Sequence, residues 1–119
     1  MNIKPSQFEV LSKLVDVSTV RHRVIANNIA NVNTPGFKRM ELHFEETLAT
    51  QMKREGRINA SVVSAEVRAD KKSPARVDGN NVDIDGEMGA MQKNSMLHNT
   101  YLQIINNRVA QMRQAITGR

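Results

Sequence analysis

The chain has 119 residues, with no cysteine, no tryptophan, one tyrosine and three phenylalanines, which excludes disulfides, thiolate metal sites and a thick aromatic core. Seventeen basic residues against twelve acidic ones give a net charge of +5, and the excess lies in residues 1–39, where six basic residues meet two acidic ones. No run approaches the ~18 apolar residues of a membrane span, and no apolar segment follows Met1-Asn2-Ile3-Lys4-Pro5, so neither a transmembrane helix nor a conventional secretory signal is expected.

From Gln7 to Val32, apolar residues recur in steps of three and four at Phe8, Leu11, Val15, Ile25, Ile29 and Val32, with Ser18 and His22 filling the register between. A neighbouring stripe holds Val10, Leu14, Val17 and Val24. This spacing predicts a helix with an apolar face too wide for a single partner.

Residues 26–37 read Ala-Asn-Asn-Ile-Ala-Asn-Val-Asn-Thr-Pro-Gly-Phe. Asn27, Asn28, Asn31 and Asn33 are costly inside a helix because their amides compete for backbone hydrogen bonds. Thr34-Pro35-Gly36-Phe37 fits a type II turn, with Pro35 second and Gly36 third at positive φ. A turn alone leaves Asn27 and Asn28 unexplained, so their amides are expected to meet backbone groups of a neighbouring segment.

The middle of the chain, residues 40–80, carries seven residues of each charge and looks loosely structured. Glu41 to Arg54 reads as a short helix around Leu42, Phe44, Leu48 and Met52, and Ser61 to Ala69 as a short strand through Val62, Val63 and Val67, with room for one hairpin. Pro74 disfavours helix at Ser73.

Residues 78–85 read Asp-Gly-Asn-Asn-Val-Asp-Ile-Asp. Beyond them, Met88, Met91, Ser95, His98, Leu102, Ile105, Val109, Met112 and Ile116 follow strict three–four spacing, a coiled-coil-like seam softened by Ser95 and His98. Gly86 and Gly89 place the helix start anywhere from 83 to 90. Gly118 suits the residue just past its end.

The segment 81–86 nearly matches the opening of a calcium loop, but Asn81 and Gln92 stand where its carboxylates belong, and Asp83 or Asp85 reads as a helix cap instead. His22 and His98 fall on the two seams, where histidine is either a hydrogen-bonded interface residue or a pH-sensitive contact. No catalytic triad, phosphate loop or metal spacing is present, so no enzyme, no cofactor and no small-molecule substrate is expected. Arg21, Arg23, Lys38 and Arg39 form a basic patch that admits an alternative, a basic helical nucleic-acid-binding protein, although no aromatic residue interleaves with it for base stacking.

The run from Ala26 through Lys38, together with Asp78–Asp85 followed by Met88, resembles the terminal signatures of the bacterial flagellar rod and hook proteins, and the short length and Asp-Gly-Asn opening resemble the proximal-rod members. The resemblance implies a mainly α fold: two long terminal helices packed as a coiled-coil-like pair around a partly irregular insert. It divides the chain into 1–39 (N-terminal helix and Asn-rich signature), 40–80 (insert) and 81–119 (C-terminal heptad helix). It implies a structural subunit of the axial drive shaft, located in the periplasmic rod and exported uncleaved by the flagellar type III apparatus. Implied partners are other copies, other axial rod proteins and adaptors at the export gate and MS ring, with no nucleic acid. The assembly signature would be Asn27, Asn28, Asn31, Asn33, Thr34, Pro35, Gly36 and Phe37. N-terminal packing would use Phe8, Leu11, Val15, Ile25 and Ile29, and C-terminal packing Met88, Met91, Leu102, Ile105, Val109, Met112 and Ile116. Phe44 and Leu48 resemble the Phe-x-x-x-aliphatic motif of early export substrates, a spacing that also serves ordinary helix packing. A further alternative, a soluble export adaptor, would form discrete complexes rather than polymerise.

Overall fold

The structure, a computed structural model, describes residues 5–59 and 63–118. Its elements in order are α1 (Pro5–Ala30), β1 (Met40–His43), α2 (Glu45–Glu55), β2 (Glu66–Ala69) and α3 (Ile84–Thr117). The fold is mainly helical, and α1 packs on α3 along most of its length. Residue pairs fix the direction. Asn28 meets Glu87, Ser18 meets Asn94 and His98, and Phe8 shares a cavity wall with Val109, so the two helices run antiparallel. No helix among the described residues is long and apolar enough to cross a membrane.

Asp83 begins α3. Its extended backbone and its carboxylate, which accepts from the Asp85 N–H at 3.2 Å, make it the N-cap. Gly86 belongs to that cap, since a Cβ there would approach the Asp83 carboxylate to 3.2 Å. Gly118 closes the other end in the left-handed conformation.

The insert packs on α1 and shares cavity walls with α3, Met52 and Arg57 with Ile104 and Arg108 in one and Met40 with Ala90 in another. β1 and β2 pair antiparallel, Met40 with Ala69 and His43 with Glu66. The expected helix from Glu41 is therefore shorter, and its first turn is a strand. Two non-local contacts account for this: the β2 ladder, and the Asn28 carboxamide, which donates to the Met40 carbonyl at 2.9 Å and accepts from the Met40 N–H at 2.8 Å. The two strands are joined through α2 rather than by a tight hairpin. In the expected strand from Ser61, Ser61 and Val62 lie outside the described residues, and the ladder runs over Glu66–Ala69. α2 follows the dipole rule, with Glu45 and Glu46 in its first turn and Lys53 and Arg54 in its last.

The small core is Val17, Phe44 and Val63, flanked by Leu14, Leu42, Leu48 and Ala65. Phe44 is 1% exposed and pins the insert to α1. Elsewhere the molecule is thin. Its extents are 64 × 32 × 16 Å and its radius of gyration is 18.0 Å, against about 13.5 Å for a compact chain of this length. It exposes 8361 Å², where a compact monomer of this mass would expose about 6500 Å².

Phe44→Ala removes the largest side chain of this core and is expected to cost about 3–5 kcal/mol. That is comparable to the whole stability of a small domain. Urea unfolding followed by circular dichroism checks it, and Phe44→Leu should recover most of the loss.

Candidate functional site

Helix α1 ends where α3 begins, and the chain brings its two sequence motifs together there. A helix end leaves carbonyls without partners. In this chain the donors come from residues 76–82. The fully buried Asn80 carboxamide donates to the carbonyls of Asn31 at 2.9 Å, Val32 at 3.1 Å and Thr34 at 2.9 Å. Its oxygen accepts from the Val82 N–H at 2.8 Å. The Arg76 guanidinium adds bonds to the Val32 and Val82 carbonyls, and Lys38 Nζ reaches the Gly79 carbonyl.

The Thr34–Phe37 turn closes with the Phe37 N–H on the Thr34 carbonyl at 3.2 Å, and Gly36 takes φ 74°. Gly36 N–H then donates to the Asp78 carbonyl at 2.8 Å. Gly79 faces it so closely that a Cβ at Gly79 would lie 3.3 Å from the Gly36 Cα. Both glycines hold positive φ, 74° at Gly36 and 85° at Gly79, and only Gly79 is also required by the close approach of the two backbones, since a Cβ on Gly36 would meet open space.

Behind the turn sits a charged cluster. Arg39 Nε donates to Glu87 at 2.6 Å, and its Nη1 donates to Glu41 at 2.6 Å and Asp70 at 3.0 Å. Glu87 and Asp70 are buried, and Asn28 Nδ2 reaches the second Glu87 oxygen at 3.3 Å. Asn81 ties the same region together, accepting from the Arg39 N–H at 2.7 Å and donating to the Asp70 carbonyl at 2.7 Å. Burial works against the Arg39 charge, but the hydrogen bonds of Glu87 and Asp70 outweigh it and the guanidinium is held well above its ordinary range. The Ser73 hydroxyl, against a desolvation cost, and then the Lys72 and Ser73 N–H groups and Arg39 hold the Asp70 carboxyl well below the usual carboxylate range.

Of the signature residues, Asn28 is buried and bonded to β1, while Asn31 donates to Asn27 and accepts from the Thr34 hydroxyl at 3.1 Å. Asn33, Thr34, Pro35 and Gly36 lie exposed on the outer side of the turn, and Phe37 is half-buried. On α1, Ile25 is buried, and Phe8, Leu11, Val15 and Ile29 are half-buried. On α3, Met91 and Ile105 are half-buried, whereas Met88, Leu102, Val109, Met112 and Ile116 are exposed, Ile116 to 82%. The more covered line of α3 runs through Glu87, Met91, Asn94, His98, Tyr101, Ile105 and Arg108. It shares Met91, His98 and Ile105 with the expected seam and leaves the other edge of that seam open. Phe44 and Leu48 pack within the insert core.

Spacing alone does not point to Asn80, Asn81, Arg39, Glu87, Asp70 or Asn94. The Asp78–Asp85 motif marks Asn80 and Asn81 without giving their partners, and at Glu87 and Asn94 the legible signal is polarity near a helix seam, which reads correctly only once the phase of α3 is known. The basic patch is largely committed internally: Arg21 pairs with Glu45 at 2.6 Å, Arg39 with its three carboxylates and Lys38 with the Gly79 carbonyl. His98 is hydrogen-bonded between helices and His22 is exposed. No group of three or more potential metal-binding side chains gathers among the described residues.

Asn80→Asp is expected to destabilise more than Asn80→Ala. The alanine loses donors at about 1 kcal/mol each, whereas the carboxylate sets a buried charge against three carbonyl oxygens. Chemical denaturation of both variants checks the order. Because the folded Asp70 carboxyl lies below its unfolded value of ~3.9, its contribution is present at neutral pH and is lost as pH falls below about 4. Stability measured from pH 6 to 2 should fall on acidification, and Asp70→Asn should flatten that slope.

Residues 20–38, which span the end of α1 and the turn, match the family of flagella basal body rod proteins. The chain is 33% identical to the flagellar basal body rod protein FlgB of Borrelia hermsii, covering 87% of this chain and 90% of that protein. It is 31% identical to FlgB of Borreliella burgdorferi over 72% of this chain and 77% of that protein. It is 23% identical to FlgB of Bacillus subtilis over 99% and 98% of the two chains.

Proposed function

The chain belongs to the FlgB family of flagellar basal body rod proteins and is a structural subunit of the rod, and we propose that it assembles by covering the open edges of its terminal helices with those of neighbouring subunits. The nucleic-acid and adaptor readings have no support from these relatives.

The observation that carries the proposal is the apolar edge of α3. Ile84, Met88, Leu102, Val109, Met112 and Ile116 stand exposed along one long helix, with Phe8 beside its far end. A monomer rarely keeps so long an apolar line in water. The surface beyond that of a compact monomer is roughly 1900 Å², more than the ~800 Å² one partner contributes to a standard interface. The partners that fit are other copies and other axial rod chains with the same helix pair. The position is the periplasmic rod, reached uncleaved through the type III apparatus and its gate and ring-side adaptors. The role needs no catalytic step.

The turn and its buried polar junction set the angle at which α1 and α3 meet, so the signature residues act as a brace for the assembly surface. Phe44 and Leu48 serve export only in an unfolded chain, since folding places them in the core.

Met112→Asp combined with Ile116→Asp tests the assembly role. Both side chains are exposed, so the thermal midpoint of the free chain should move by less than the ~0.5 kcal/mol equivalent of ordinary surface changes. Swimming and recovery of intact basal bodies should be lost in a strain carrying the double variant. Normal motility would remove the proposed surface.

A further inference from the structure

Among the described residues, β2 is paired on one side only. The sheet consists of β1 and β2, and all four residues of β2 are exposed, Val67 to 43%. The phase of the ladder shows which backbone groups are open. One step beyond the Met40–Ala69 pair, the Asp70 N–H donates to the Arg39 carbonyl at 2.8 Å. Backbone groups alternate in direction along a strand, so Arg68 and Glu66 also turn theirs to β1, while Val67 and Ala69 turn N–H and C=O to the open edge. Neither has a backbone partner there among the described residues.

An open edge is a template for another strand, and proteins commonly block it with lysine, proline or a bulge. Residues 65–69, Ala-Glu-Val-Arg-Ala, contain no lysine or proline, and the register of β2 on β1 is unbroken. The segment is also self-complementary. Laid antiparallel on a second copy about Val67, it sets Glu66 opposite Arg68, Arg68 opposite Glu66 and Ala65 opposite Ala69. Val67 of each copy then forms a hydrogen-bonded pair, because both point outward. Glu66 and Arg68 of the second copy form the closer pair without hydrogen bonds, with Cβ atoms about 4.5–5.5 Å apart.

The charges continue the pattern across the sheet. Within the chain Arg68 lies opposite Glu41, and Glu66 opposite His43. The row Glu41, Arg68, then Glu66 of the second copy alternates in sign. Moving the two-fold centre by one residue, to Glu66 or to Arg68, sets that residue against its own copy, a like-charge pair that destabilises. Glu66 and Arg68 now pair with each other at 2.5 Å, and both are more than half exposed, so a second copy displaces no buried contact.

We infer that the free chain pairs with a second copy through the open edge of β2, joining two two-stranded sheets into one of four antiparallel strands. A two-stranded sheet is marginal in water, and a wider one is not. A two-fold contact closes on itself, whereas filaments grow by head-to-tail contacts. The pair is therefore a state of the chain before it enters the rod. It caps the strand edge and leaves the apolar edge of α3 open. Its place before assembly rests on the rod reading; the pair itself does not.

Sedimentation velocity of the free chain, from micromolar to near-millimolar concentration, tests this. A reversible monomer–dimer equilibrium is expected, weakened at high salt. Glu66→Arg sets Arg against Arg, and Arg68→Glu sets Glu against Glu, so each variant alone should self-associate about tenfold or more weakly than the parent. An equal mixture of the two variants should pair again, since every facing charge is then opposite. Both sites are exposed, so the thermal midpoints should stay near that of the parent. Amide exchange at Val67 and Ala69 should slow as concentration rises. A chain that stays monomeric at near-millimolar concentration would overturn the inference, as would a mixture that does not associate. A dimer that survives both reversals and dissolves with Met112→Asp and Ile116→Asp would overturn it too, by placing the contact on α3. None of these readouts uses motility, so they stand or fall apart from the rod reading.

Discussion

The carboxamide of Asn80 is fully buried and holds three carbonyls from the end of α1, at Asn31, Val32 and Thr34. Everything else in the molecule is arranged around that constraint. A helix of 26 residues that stops beside the start of another leaves its last carbonyls facing protein rather than water. Unmet, each would cost about as much as a lost buried hydrogen bond. Meeting them requires residues 76–82 to lie against 31–37, and that contact places Asp83 where α3 must begin. The direction and phase of the C-terminal helix thus follow from the polar end of the N-terminal one. Gly79 is the steric condition for the same contact, and Gly36 and Gly79 both hold the positive φ it needs.

The Arg39 cluster performs a related task with charge. One guanidinium serves Glu87 on α3, Asp70 after β2 and Glu41 on β1, so three separate parts of the chain converge on a single side chain. Buried ion pairs are poor sources of net stability, because desolvation offsets most of the attraction. What they supply is selectivity. Any packing that displaced α3 along α1 would leave Glu87 or Asp70 buried without a cation, an error costing several kcal/mol. Asn28 adds to this by holding Met40 with both ends of its amide while touching Glu87. An apolar seam alone permits sliding by a turn, and this polar junction does not.

The parts of the structure legible in the sequence are those set by local periodicity and turn chemistry. Three–four spacing over α1 and α3, the capping role of Asp83 and the positive φ of Gly36 all follow from neighbours in the chain. The insert was less legible because its determinants are distant. Leu42, Phe44, Leu48 and Met52 have helical spacing, yet Met40–His43 is extended, since Asn28 and the β2 ladder claim its backbone first. The open seam of α3 shows a different limit. Met88, Leu102, Val109, Met112 and Ile116 follow the period as regularly as the covered residues do, and period cannot tell the side that faces α1 from the side left open. Asn94 and Glu87 look like interruptions in that pattern, although both are buried contacts between the helices.

The distribution of contacts along the helix pair has a mechanical consequence. Near the turn, α1 and α3 are joined by the Asn80 fan, the Arg39–Glu87 pair and the Ser18–Asn94 bond, and the insert core packs on α1 through Val17 and Leu14. Beyond Ile105 the described residues of α3 are almost all exposed, and its last turns rest on little besides Phe8. Ordering each backbone residue there costs about 1–2 kcal/mol, which isolated burial at ~25 cal/mol per Å² cannot repay on one side of one helix. The far ends of both helices therefore gain most from a neighbour, and the turn end gains least. In the proposed assembly, docking of a neighbour and ordering of the far ends would be coupled. The rigid junction provides the template on which the two helices are already antiparallel and in register when the neighbour arrives.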